Sequence, residues 1–136
     1  MIVVVDAAVV VAALVDNGPT GQWSELQLMT EELAAPHLMP VETANILRWS
    51  AMAGDISADV ASIAHEDLLA LNVELFTYQP FGARVWQFRN NMTAYDAWYV
   101  AIAESLNAPL ATLDMRLSRA SGSGCTFLTP PDLQAI

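Results

Sequence analysis

The sequence predicts an α/β domain in which a parallel sheet is covered by helices on both faces. Three observations predict it. Short strand-like runs alternate with helix-period segments along the chain. The first run, Met1–Val5, is apolar without the alternation of a half-exposed strand, which suits a strand buried on both faces. The 136 residues are 54% hydrophobic, enough for one domain over residues 1–136 with a real core.

Each element follows from local signals. Asp6 ends the first strand, and Ala7–Val15 reads as a helix closed by Asp16-Asn17-Gly18-Pro19. A second helix spans Thr20–Glu32, with Trp23, Leu26 and Met29 or Thr30 on one face. Leu33–Ala35 is a short strand, and Pro36 and Pro40 bracket a turn. The next helix runs from Val41 to Met52 and stops at Gly54; Pro40 suits its first turn. Ser57 caps a helix over Ala58–Leu71, and Val73–Thr77 is a strand. Pro80–Arg89 is a short helix. Thr93–Leu106 is a strong one, with Tyr95, Trp98, Tyr99 and Ile102 at helical spacing. Pro109–Leu113 is a strand, Asp114–Arg119 a brief helix, 121–124 a loop and Cys125–Leu128 a last strand before Pro130-Pro131.

Charge and composition exclude several functions. Fifteen acids against five arginines and no lysine give a formal charge of −10, so a basic nucleic-acid-coating surface is ruled out. Without lysine there is no phosphate loop of the usual kind and no Schiff-base chemistry. Cys125 is the single cysteine, which excludes an intrachain disulfide and points to a reduced, cytoplasmic setting. Residues 1–15 are apolar, but they lack a basic leader segment and are interrupted by Asp6, so neither a secretory signal nor a membrane span is expected.

Four acids fall where an open parallel sheet binds ligands, beyond the carboxyl ends of its strands. Asp6 follows the first strand and Asp114 follows Leu110–Leu113. Glu42 and Asp96 lie in the first turns of their helices. Each also has a structural explanation as a cap, a capping-box partner of Thr93 or a complement to a helix dipole. Gathered in one cleft, however, such carboxylates repel, and there is no lysine to offset them. A hard divalent cation would, and Mg²⁺ or Mn²⁺ prefers oxygen ligands. Metal-assisted phosphodiester hydrolysis is the reaction class this implies.

The segments IVVVDAAVVVAAL (2–14), APHLMPVETANILR (35–48), TAYDAWYVAIAESLNAPLATLD (93–114) and RLSRA (116–120) resemble the PIN domain, and more narrowly the VapC-type toxin ribonucleases. The resemblance covers nearly the whole chain and implies a PIN-like three-layer α/β/α sandwich with a central, mostly parallel sheet. By position, Asp6, Glu42, Asp96 and Asp114 match the acidic quartet that holds Mg²⁺ or Mn²⁺, and Thr112 matches a supporting hydroxyl beside the last acid. Two residues depart from the pattern: Ala8 stands where many members have Ser or Thr, and Met115-Arg116 where some have a further acid. The resemblance implies an endoribonuclease acting on tRNA or rRNA through a metal-activated water, leaving a 5′-phosphate and a 3′-hydroxyl. Asp6 and Asp96 would hold the metal most directly, with Glu42 and Asp114 positioning or deprotonating the water.

Partners follow from the same resemblance: RNA, a VapB-type antitoxin, and a second copy in a homodimer, with no membrane. Arg89, Arg116 and Arg119 are candidate RNA contacts, and Arg84 also lies in that half of the chain. Trp98 reads as core, whereas Trp23 and Trp49 read as interface residues. His37 and His65 have no ligand spacing, and Cys125 reads as a small buried apolar residue. The competing reading is a PIN-like binding module that assembles antitoxin and operator complexes with little turnover.

Overall fold

β1 (Ile2–Val5) occupies the middle of the sheet, and Val3, Val4 and Val5 are fully buried, as an unalternating apolar run requires. The computed structural model describes residues 1–120 and 122–131. β2 (Glu32–Pro36) and β3 (Val73–Phe76) lie to one side of β1; β4 (Leu110–Ala111) and β5 (Phe127–Leu128) lie to the other. The order is β3-β2-β1-β4-β5, and every pairing is parallel. The last two strands are shorter than the sequence predicts. The pairing nevertheless extends past their ends, because Thr112 N–H bonds the Leu128 carbonyl at 2.9 Å and Val4 N–H bonds the Pro109 carbonyl at 3.0 Å.

Helices cover the sheet. α1 (Ala7–Val15) packs against α2 (Pro19–Thr30), α3 (Leu38–Met52) and α4 (Ala58–Ala70). A 3₁₀ turn at Gln79–Phe81 leads into α5 (Gly82–Gln87). α6 (Ala94–Leu106) lies against α5, β1, β2 and β4, and α7 (Met115–Ser118) follows β4. This is the expected α/β/α sandwich. Ser57 caps α4 by accepting from Val60 N–H, and Gly54, at φ +81°, closes α3 in the left-handed region as a glycine can. Ser121, the first residue of the expected 121–124 loop, and residues 132–136 lie outside the described residues.

The structure differs from the sequence reading at α3 and α6, and it shows which face of α2 is buried. α3 begins at Leu38, so the turn after Pro36 is reduced to His37 and Glu42 sits in the second turn of the helix. The stripe Leu26–Met29 of α2 faces solvent, at 58% and 73% exposure, while Gly21 and Ser24 are buried. α2 crosses close to the end of α1 at Gly21, where a Cβ would meet the Asp16 carbonyl, while its Trp23 and Leu28 pack against the core from partly buried positions. On α6, Tyr95 is exposed, whereas Tyr99 and Ile102 are buried and half-buried Trp98 meets Tyr78 edge-to-face at 5.3 Å.

Candidate active site

The chain adds β2 and β3 on one side of β1 and returns to add β4 on the other, so the order reverses between β1 and β4. Open α/β sheets form a crevice at such a point, outside the strand ends. Asp6 leaves β1 and Asp114 follows β4, one on each side of that crevice.

Both acids are built into helix starts. Asp6 Oδ1 accepts the Val9 N–H at 2.9 Å, capping α1. Asp114 Oδ1 accepts the Arg116 and Leu117 N–H groups at 2.9 and 3.2 Å, capping α7. Capping and site membership therefore coincide: the cap fixes each carboxylate at the strand end. Thr112, fully buried, links the two acids. Its hydroxyl accepts the Asp114 N–H at 3.0 Å and hydrogen-bonds the Asp6 carboxylate.

The other two acids come from helices. Asp96 lies in the first turn of α6; its N–H donates to Thr93 Oγ1 at 3.2 Å, and its carboxylate hydrogen-bonds the same hydroxyl. Glu42 accepts the Tyr99 O–H at 2.7 Å through Oε1. In the sequence Tyr99 stands out only by its helical spacing with Tyr95 and Ile102. The signal available was its position three residues after Asp96, which puts both on one helix face.

Asp6, Glu42 and Asp96 are each held above the ordinary carboxylate range. Burial pushes Asp6 from 3.8 up to about 6, opposed by its Thr112 and Val9 hydrogen bonds and reinforced by the charges of Asp96 and Glu42. Burial also raises Glu42, against the Tyr99 hydrogen bond and together with the charge of Asp96. Asp96 is raised by burial and then by the charge of Asp114, with Thr93 and Arg116 opposing. Burial and the charges of Glu42 and Asp6 push the Tyr99 phenol upward, so it remains an O–H donor. Asp96 and Asp114 line a cleft of about 220 Å³ together with Met92, Thr93, Arg116 and Leu117.

The donor set consists of carboxylate oxygens, which suits a hard divalent cation. Raised carboxylates sharing a cleft have two ways to lower their repulsion, a proton or a cation. Among the described residues no three His, Cys, Asp or Glu side chains stand close enough to enclose an ion as they are. Carboxylates that repel one another lie around a cleft in this way instead of closing on one point. In the chemistry of their donor atoms the residues fit such a cation. Replacing Thr112 with Val keeps the shape but strands the buried Asp114 N–H and removes a donor from Asp6. We expect a loss of about 1–3 kcal/mol in urea unfolding.

The arginines divide. Arg116 is 93% exposed in its side chain, with Nε 3.8 Å from Asp114 Oδ1, at the rim of the cleft. Arg119 is exposed just beyond α7. Arg89 lies over the Trp86 ring at 5.1 Å and donates to the Trp86 carbonyl. Arg84 is engaged elsewhere: it binds Glu104 at 2.8 and 2.9 Å and stacks over Phe88. Trp49 is exposed, and Trp23 is partly buried. His37 and His65 are exposed and outside the cleft, and Cys125 is half-buried beside Ser123.

Residues 3–123 match the PIN domain family model. The chain is 36% identical over 129 residues to Ribonuclease VapC9 of Mycobacterium tuberculosis, covering 95% of this chain and 98% of that protein. Among solved structures it resembles PAE2754 from Pyrobaculum aerophilum, with TM-score 0.71, 23% identity, and 98% and 90% of the two chains covered. It also resembles VapBC2 from Rickettsia felis bound to a DNA fragment from their promoter, with TM-score 0.64, 13% identity, and 95% and 98% covered. With a family model spanning most of its length and a VapC relative aligned almost end to end, the chain belongs to the PIN domain family, among its VapC-type members.

Proposed function

We propose that residues 1–136 form one PIN-like domain that hydrolyses RNA phosphodiester bonds with Mg²⁺ or Mn²⁺, as the toxin of a toxin–antitoxin pair. The observation that carries the reading is the gathering of Asp6, Glu42, Asp96 and Asp114 at the crevice beside β1 and β4, where burial and mutual repulsion raise three of them. The name of the VapC9 relative, a ribonuclease, supports the substrate class.

These four acids would hold the cation. When bound there, a hard divalent ion polarises a phosphate oxygen and lowers the pKa of water. The protein does the rest. The caps on α1 and α7 hold Asp6 and Asp114 still, so the site is organised before RNA arrives. Glu42, raised by burial, is suited to accept a proton from the attacking water. Arg116, with Arg119 and Arg89 farther out, offers guanidinium groups to the RNA backbone near a site that otherwise repels it. A 5′-phosphate and a 3′-hydroxyl are the products expected, from a tRNA or an rRNA.

A charge of −10 favours a basic partner, and a VapB-type antitoxin placing a cation against the acids would neutralise the site. Homology to a VapC protein and the fold shared with VapBC2 support that partner; a homodimer is also part of the proposal. No helix among the described residues is long and apolar enough to cross a membrane; a cytoplasmic location is part of the proposal.

The test is the thermal melt of antitoxin-free protein with and without millimolar Mn²⁺, for wild type and Asp96→Asn. A ligand that binds only the folded state raises stability by RT ln(1 + [L]/Kd). We expect a rise in wild type that Asp96→Asn loses, together with metal-dependent 5′-phosphate ends in total RNA that Asp96→Asn does not produce. An equal rise in both proteins, or none in either, would remove the metal assignment and leave the acids as caps.

A further inference from the structure

Glu42 is the acid that its own backbone neighbourhood does not hold. Asp6 and Asp114 are pinned by N–H groups at the starts of α1 and α7, and Asp96 hydrogen-bonds Thr93 on its own turn. Glu42 sits in the second turn of α3, beyond the free N–H groups of a helix start. Its side chain is also longer by one rotatable bond than an aspartate, and more entropy is lost in fixing it. Among the described residues, the hydrogen bond it accepts is the one from Tyr99, at 2.7 Å.

Tyr99 is well placed to fix it. It is 4% exposed, its ring belongs to the main core, and it lies one turn after Asp96 on α6. Its hydroxyl therefore reaches Glu42 from a rigid base that also carries Asp96. The bond joins residues 57 apart in sequence and spans two helices, α3 and α6. One accepted hydrogen bond leaves lone pairs on both carboxylate oxygens for a ligand.

Resting on the metal-site reading above, we propose that Tyr99 is a positioning residue: its hydroxyl restrains the Glu42 carboxylate from the same helix that carries Asp96, so that less order has to be imposed on Glu42 when a metal is captured. Tyr99 touches neither RNA nor metal, and acts through Glu42. A hydrogen-bond partner behind a ligand typically changes metal affinity by about 10–100-fold.

The experiment measures the half-saturating Mn²⁺ concentration from the metal-dependent rise in melting temperature. It compares wild type, Tyr99→Phe, Glu42→Gln and the double variant. Tyr99→Phe is expected to raise the half-saturating concentration by about tenfold or more. In the Glu42→Gln background the same change is expected to make no further difference. Tyr99→Leu, which also lacks the hydroxyl and leaves Glu42 in place, is expected to weaken binding similarly; it serves if Tyr99→Phe does not fold. An unchanged half-saturation in Tyr99→Phe, whatever happens to its metal-free melt, overturns the proposal and leaves the site reading standing. No rise in wild type overturns both.

Discussion

Asp6→Asn is expected to raise the melting temperature of the metal-free protein near neutral pH and, at the same time, to abolish RNA cleavage and the Mn²⁺-dependent rise. Asparagine is as good an N-cap as aspartate, so the bond from Val9 N–H to residue 6 survives. What disappears is a charge in a poorly solvated place. The carboxyl is raised from 3.8 to about 6 in the fold, which corresponds to about 3 kcal/mol at full ionisation. Because the folded state holds this proton more tightly than the unfolded chain, the stability Asp6 contributes is full below pH 3.8. It is lost as pH rises through about 6. Metal-free wild type should therefore lose stability over that interval, and Asp6→Asn should lose less. Calorimetry across pH in EDTA checks both; a lower melt for Asp6→Asn near pH 7 would mean that the charge is not a stored strain. Such a gain in stability with a loss of activity is the trade expected when a site is held against its own repulsion.

Gly21→Ala is expected to destabilise the fold by about 3 kcal/mol or more, a fall of about 10 °C in melting temperature. A Cβ at residue 21 would stand 1.8 Å from the Asp16 carbonyl oxygen and 2.6 Å from its carbon. Those are backbone atoms at the end of α1, so relief requires α2 to move as a body. Ser24→Ala, in the same seam, is the control. Its hydroxyl is buried and makes no hydrogen bond, so losing it is expected to be neutral or slightly stabilising. Urea unfolding of the two variants separates a tight crossing from general sensitivity of the seam.

The sequence spoke most clearly where one short-range signal decides the outcome. β1 and α1 were legible because an unalternating valine run meets a capping aspartate, and α4 because Ser57 precedes it. The start of α3 was not, because two prolines read as a turn when one sits in the first helical turn. The buried face of α2 is not legible from hydrophobicity, which ranks Leu26 and Met29 above Gly21 and Ser24, whereas a close crossing selects for size. At the site, Asp6, Asp96 and Asp114 stand at the expected strand ends and helix starts, whereas Glu42 lies one turn deeper in its helix. Tyr99 did not stand out, since a hydrogen bond across 57 residues leaves no local periodic trace.

The position of β1 between β2 and β4 sets an order of events during synthesis. Asp6 emerges near the start, but Thr112 and Asp114, on the other side of the crevice, are joined to the chain more than a hundred residues later. At about 5–20 residues per second, that interval is roughly 5–20 s. Until β4 docks, Asp6 lacks its Thr112 partner and the last acid is missing. On the proposed site, a nascent chain therefore has an incomplete acidic quartet until β4 and the start of α7 have been made and have docked beside β1.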